Sequence, residues 1–270
     1  MPSSEIARSR PSGTAPAPAA SATLQILKYL AKQQRPVSVA RVVQDLGLPR
    51  STVYQLLKIL REEGFVTHLA EEQKYCLGFA AFEVGAGFGY QQPLVRIGRP
   101  VLGQLVSKVK QTAHLSVLHG RDVLYVLEER APRRPPLVTD EGVTLPAHLT
   151  ASGRVLLALL PEQQVRALYP TGSAFSTLQG TGPDSPLTLR RMLSEVRHRG
   201  YGFVSDDVTP GVSSVASAII DREGHPIAAL AVTYYTSQIG GARGRLTEEE
   251  LVGEVRSSAE RIQQRLMGRR

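Results

Sequence analysis

One cysteine, Cys76, is all that the sequence holds. An intramolecular disulfide framework is therefore excluded, and a cysteine-ligated zinc site is not expected. Long apolar runs are missing as well. The longest, 155–160 and 227–232, are far too short to cross a bilayer. Residues 1–20 lack the apolar stretch of a secretory signal and carry Pro2, Pro11, Pro16 and Pro18 among small residues, so they read as a disordered tail. A cytoplasmic protein with no membrane partner is the expectation.

Signatures of nucleotide chemistry and hydrolysis are absent too. Gly78, Gly85, Gly87 and Gly89 lack the G-x-G-x-x-G spacing and do not follow a strand. There is no Walker A loop and no G-x-S-x-G elbow. The six histidines (His68, His114, His119, His148, His198, His225) form no H-x-x-x-H or H-E-x-x-H pair. Without a nucleophile beside a base, no enzyme activity, metal or cofactor is expected.

What is present is ordinary globular composition, 42% hydrophobic and 21% charged over 270 residues, enough for two domains. The net charge of +8 is unevenly spread. Residues 21–61 carry seven basic side chains against one acid, Asp45, whereas 62–90 carry five acids against Lys74. The positive field sits near the N-terminus, where it favours a polyanion.

That basic segment has a helical grammar. A first helix is predicted over 23–30. Ser38 reads as the N-cap of 39–46, where Val39, Val42, Val43 and Leu46 fall on one face. Gly47 ends that helix, and Pro49 suits the first turn of the next. Val53, Leu56, Leu57 and Leu60 repeat the one-face spacing, and Gly64 stops the helix. Strands at 65–69 and 74–77 flank a polar turn at 70–73. Three helices and a hairpin make a winged helix-turn-helix over 21–78.

A recognition helix needs an apolar face for its own domain and a polar face for the groove. Arg50, Ser51, Thr52, Tyr54 and Gln55, near the N-terminus of the third helix, are the candidates for base readout. Lys58 lies on the same face. Ser38 and Arg41 are candidates for phosphate, and His68 and Lys74 flank the wing tip. The partner implied is double-stranded operator DNA. A winged helix that binds protein is the alternative.

Beyond the wing, 79–92 is expected to be a linker helix, weakened by its glycines, which read as close packing or a hinge. Residues 93–270 alternate helices and strands. Helices are predicted at 94–109, 152–160, 161–169 and 188–199, and from a capping box at Thr247 and Glu250. Strands are predicted at 114–119, 123–129, 201–206, 214–221 and 226–234, with hairpin turns at 120–122 and 222–225 and loops at 133–136 and 170–187. The fold class is α+β, with a largely antiparallel sheet in the second domain.

These residues together resemble the IclR family of bacterial transcriptional regulators. The N-terminal resemblance runs through Asp45-Leu46-Gly47-Leu48-Pro49-Arg50-Ser51-Thr52-Val53-Tyr54, Glu63-Gly64-Phe65-Val66 and Tyr75-Cys76-Leu77-Gly78. The C-terminal one lies in Gly142-Val143-Thr144-Leu145-Pro146-Ala147-His148-Leu149-Thr150-Ala151-Ser152-Gly153-Arg154, Gly200-Tyr201 and Thr209-Pro210-Gly211-Val212. It implies a GAF-like effector-binding and oligomerisation domain, a homodimer through the DNA-binding domains or a homotetramer, and control by a small molecule such as an organic or aromatic acid.

A carboxylate needs free backbone donors at a helix start, and Thr150, Ala151, Ser152 and Gly153 supply small residues there. Capping alone is an alternative role for Thr150 and Ser152. The family's pattern adds Asp207, Ser214 and Thr233. Many relatives have Glu at the position of Asp207 and Cys at that of Ser214, and some have Ser at that of Ala231. A DNA-binding module without ligand control is the rival reading.

Overall fold

The computed structural model describes residues 17–33, 35–132, 139–176, 182–238 and 246–268. Most of the expected tail and the loop expected at 133–136 lie outside them. The chain divides into two compact units, 1–89 and 90–270.

The first unit contains α1 (Pro18–Ala31), β1 (Val37–Ser38), α2 (Val39–Leu46), α3 (Arg50–Glu62), β2 (Val66–Leu69), β3 (Lys74–Leu77) and all but the last two residues of α4 (Phe79–Gln91). α1 begins inside the expected tail, because Pro18 at the first helical position has its φ preset for the helix. The Ser38 hydroxyl accepts a hydrogen bond from the Arg41 amide at 3.4 Å, the expected N-cap. Gly47 closes α2 at φ 65°, in the left-handed region. Pro49 sits at the N-cap of α3, one residue earlier than expected. The apolar faces of the three helices meet in one core around Ile26, Val42, Val53, Leu57 and Leu60.

The two-residue β1, not foreseen from the sequence, pairs with β3 and makes the wing a three-stranded sheet in the order β1-β3-β2. α4 forms without a break through Gly85, Gly87 and Gly89. Among the described residues nothing lies within 4 Å of a Cβ built at Gly85 or Gly87, so no contact described within the chain requires glycine there. A cost of about 1 kcal/mol per glycine is too small to break a helix of this length.

The second unit contains α5 (Pro93–Val109), β4 (Thr112–His119), β5 (Asp122–Glu129), β6 (Thr144–Pro146), α6 (Ala151–Leu159), α7 (Glu162–Leu168), α8 (Pro186–Arg199), β7 (Gly202–Ser205), β8 (Val212–Ile220), β9 (Pro226–Tyr235) and α9 (Glu248–Leu266). Its six strands form one antiparallel sheet in the order β6-β5-β4-β9-β8-β7. β6 was not expected, and Asp122 belongs to β5 rather than to the preceding turn. The capping box stands as expected: the Thr247 hydroxyl accepts from the Glu250 amide at 3.2 Å, and the Glu250 carboxylate from the Thr247 amide at 2.8 Å.

The sheet is covered on both faces. α5 and α9 pack on one, through Leu102, Leu105, Val255 and Ile262 against Leu115 and Leu230. α6 and α8 cover the other, through Leu156, Leu157 and Leu193 with Ala216 and Ala229. A bulge between Leu115 and Ser116 shifts the β4–β5 register, so Leu127 faces the α5–α9 core while Tyr125 and Glu128 face the α6 side. That face holds the second site.

Candidate functional site

In the first unit, Val53, Leu56, Leu57 and Leu60 of α3 are buried, and its remaining face, Ile59 included, is open. Arg50, Ser51, Tyr54, Gln55 and Lys58 are exposed, and Thr52 is half-buried. The Arg50 guanidinium lies 5.6 Å from the centre of the Tyr54 ring, with Nη2 3.5 Å from the phenol oxygen. The two side chains therefore present one preorganised polar surface. A groove runs along Tyr54, Gln55, Lys58 and Arg61 to Tyr75 of β3. Tyr75, which sequence reasoning missed, stacks on His68 at 4.5 Å and joins the wing to this surface.

The phosphate candidates differ in readiness. Arg41 is exposed and pairs with Asp45 at 3.5 Å, while Asp45 also accepts from the Tyr29 phenol at 2.7 Å. Lys74 pairs with Glu72 at 2.8 Å, so part of its charge is spent within the wing. Ser38 uses its oxygen on the cap.

In the second unit, a cavity of about 490 Å³, counting its mouth, opens between the sheet and the start of α6. Of the expected effector residues, Thr150, Ala151, Ser152, Ser214 and Thr233 line it together. Tyr125, Thr139, Thr209 and Ala231 complete its polar and small side, and Leu145, Val204, Val208 and Val212 its apolar side. Apolar walls with a few converging polar groups are the usual composition of a small-molecule site. Among the described residues no charged side chain lines it.

The polar groups are arranged by the fold. The Thr150 hydroxyl accepts from the Gly153 amide at 3.0 Å, so it caps α6, whereas the amides of Ala151 and Ser152 in the same turn are left for another acceptor. Ser214 and Thr233, cross-strand neighbours on β8 and β9, share a hydrogen bond at 2.8 Å. Burial raises the Tyr125 phenol well above its usual range and so keeps it neutral.

Two expected residues take other places. Gly153 packs on backbone: a Cβ there would lie 2.1 Å from the Ala147 carbonyl oxygen. Asp207 pairs with Arg154 rather than lining the cavity. Arg154 is 5% exposed. It also donates to the carbonyls of His148 at 2.9 Å and Phe203 at 3.2 Å. Burial lowers its pKa, and the Asp207 carboxylate opposes that shift.

His148 serves the packing, not the cavity. Its Nε2 lies 2.8 Å from the Ser176 carbonyl, and its ring meets Tyr169 and Phe175 edge-on. Asp221, Glu223 and His225 converge at the β8–β9 turn, where the Asp221 carboxylate already accepts from the amides of Glu223 and His225 at 2.9 and 2.8 Å. These hydrogen bonds close the turn. Among the described residues no helix is long and apolar enough to cross a membrane.

The sequence comparisons give the family, and the structure comparison the fold. Residues 19–70 match the IclR helix-turn-helix domain, and residues 90–264 match the bacterial transcriptional regulator IclR C-terminal domain. The acetate operon repressor of Salmonella typhimurium is 30% identical over 218 residues, covering 80% of this chain and 79% of that protein. The HTH-type transcriptional regulator XynR of Escherichia coli is 30% identical over 228 residues, covering 84% and 90%. An IclR homologue of Microbacterium hydrocarbonoxydans, solved in complex with 4-hydroxybenzoate, superposes with a TM-score of 0.76 at 18% identity, covering 93% of this chain and 99% of that one. A winged helix-turn-helix followed by an antiparallel domain thus occurs in the order of those two matches, and the chain belongs to the IclR family of DNA-binding transcriptional regulators.

Proposed function

We propose that the protein binds an operator duplex as a symmetric homodimer and that a small organic acid in the second unit sets its affinity for that operator. Arg50, Ser51, Thr52, Tyr54 and Gln55 read base edges, while Ser38, Arg41, Lys58, His68 and Lys74 hold the sugar-phosphate backbone. The carboxylate of the effector takes the amides of Ala151 and Ser152, with Thr150, Ser214 and Thr233 orienting the remainder. Gly153 and Asp207 shape the site from behind it.

The observation that carries this reading is the juxtaposition of helix-start amides with hydroxyls around a cavity whose described lining residues carry no charge. Helix-start donors favour an anion there. The bound 4-hydroxybenzoate of the Microbacterium homologue supports an acid of that size. Exposed Phe79 (86%), Phe82 (75%) and Val84 (64%) on α4 support association between copies. The protein acts in the cytoplasm and performs no catalysis.

Coupling requires that the effector bind the DNA-competent and DNA-incompetent states with different affinity; a tenfold difference corresponds to about 1.4 kcal/mol. The test is a gel-shift titration on the DNA flanking the protein's own gene, at two salt concentrations, with and without organic acids. A sequence-specific shift that weakens with salt and responds to one acid is expected. No shift by folded protein at low salt would return the first unit to a protein-binding role.

A further inference from the structure

Between α7 and α8 lies a groove that shares no lining residue with the effector cavity. Counting its mouth, it encloses about 400 Å³. That volume is enough for a small molecule, and clefts between helices are common places for one. Each helix lends it one face. Glu162, Val165, Arg166 and Tyr169 follow the i, i+3, i+4, i+7 spacing along and just past α7, and Pro186, Leu189, Arg190, Leu193 and Arg197 continue the same rhythm on α8.

The floor is apolar. Tyr169, Leu189 and Leu193 are buried, and Val165 is half-buried beside them. The Tyr169 hydroxyl is engaged by the Arg121 carbonyl at 3.2 Å, so the ring is what that residue adds to the floor. The rim is charged. Three exposed guanidiniums, those of Arg166, Arg190 and Arg197, stand against one carboxylate, that of Glu162. Glu162 pairs with Arg190 at 3.8 Å, with both side chains more than half exposed, so the pair is weak and open to exchange. Arg197 donates through Nη1 to the Ala158 carbonyl of α6 at 3.0 Å, which holds its guanidinium in place and leaves other N–H groups to donate. Among the described residues neither Arg166 nor Arg197 has an ion-pair partner.

We propose that the α7–α8 groove is a further ligand site and that it takes an amphipathic dianion, a phosphate monoester with an apolar body. The body covers the Leu189 and Leu193 floor, and the head takes the two guanidiniums that Glu162 does not serve. A phosphate monoester carries about −1.5 to −2 charges at pH 7 and matches the guanidinium fork with paired acceptor oxygens. A monocarboxylate leaves one arginine uncompensated. The site is independent of the organic-acid reading of the effector cavity, whose described lining residues carry no charge.

Methyl-resolved NMR of the full-length protein tests this, because valine and leucine methyls mark both places. Phenyl phosphate is expected to move the Val165, Leu189 and Leu193 signals saturably and to leave those of Val204 and Val208, in the effector cavity, in place. Inorganic phosphate, benzoate and phenol, each lacking the body, one charge or both charges, are expected to bind the groove at least about tenfold more weakly. The double variant Arg166→Gln with Arg197→Gln is expected to lose about tenfold or more for phenyl phosphate. Both changes lie on exposed side chains, and the unshifted Val204 and Val208 signals report that the fold is kept.

Phenyl phosphate that moves no groove methyl, or moves only those of the effector cavity, overturns the inference. Inorganic phosphate binding as well as phenyl phosphate would mean an adventitious ion only and overturns it too. Phenol or benzoate within about threefold of phenyl phosphate overturns the dianion requirement, and undiminished binding by the double variant overturns the role of the arginines. None of these results touches the effector cavity, where failure of every organic acid would overturn that reading alone.

Discussion

Replacing Arg154 by Met separates the ion-pair role of Asp207 seen in the structure from the effector contact expected from the sequence. In the structure Arg154 is anchored at three points: the His148 carbonyl, the Phe203 carbonyl and the Asp207 carboxylate. The side chains of the ion pair are 6% and 14% exposed. Solvent therefore screens the pair little, and removing Arg154 takes a cationic partner away from a carboxylate that stays largely buried. Such a truncation costs about 3–5 kcal/mol. For a unit of this size each kcal/mol moves the melting temperature by about 2–4 °C, so a fall of roughly 6–20 °C is expected. Calorimetric melting of the full chain reads it. The double replacement Arg154→Met with Asp207→Leu is expected to regain most of the loss, because no charge remains buried. A fall below about 2 °C in Arg154→Met, or a double variant no more stable than the single one, would refute the argument. In that case an effect of Asp207→Ala confined to ligand response would place the carboxylate on the effector.

Other expectations follow from single observations. His114 has its pKa lowered to about 3, below its unfolded value, so the unfolded chain binds the extra proton first and stability falls as the pH drops below about 6.5. Between pH 7 and pH 5 urea unfolding should lose about 2 kcal/mol more in the natural protein than in His114→Phe; Glu128, whose pKa is raised, acts in the opposite sense in both, and equal losses would contradict the assignment. Gly153→Ala drives a Cβ into the Ala147 backbone, and a destabilisation of at least about 1–3 kcal/mol with loss of ligand binding is expected from melting and titration. Arg50→Ala should weaken operator binding by about 1–3 kcal/mol and random DNA much less in competitive gel shifts; equal loss on both would mark a phosphate contact. Ser38→Ala removes the α2 cap and should cost about 0.5–2 kcal/mol of stability in the first unit.

The first unit was legible in the sequence because its information is local. Val39, Val42, Val53, Leu56, Leu57 and Leu60 fall where 3.6-residue periodicity places them, and all are buried. Ser38 and Gly47 mark helix ends by chemistry that works within one turn. The two-residue β1 was not legible, since its strand character exists only through pairing with β3. The cavity was half legible. Thr150, Ala151 and Ser152 announce themselves as a helix start. Tyr125, Thr139, Val204 and Val208 join them only after the sheet order is set. Alternation along β5 would put Tyr125 and Leu127 on one face, and the bulge in the β4–β5 pairing places them on opposite faces.

Asp207 shows the same boundary from the other side. The residue type and its neighbourhood in sequence suit a ligand contact, but a buried arginine on α6 competes for the carboxylate and holds it. Which of two partners an acid serves depends on their burial, and burial is a property of the whole fold. Thr139 joins the cavity in the same way, through a contact with His114 on β4 that only the folded sheet creates. Specificity for a ligand is set by such pairings across the fold and not by any short motif, so members of one family can share a helix start and still differ in what they bind.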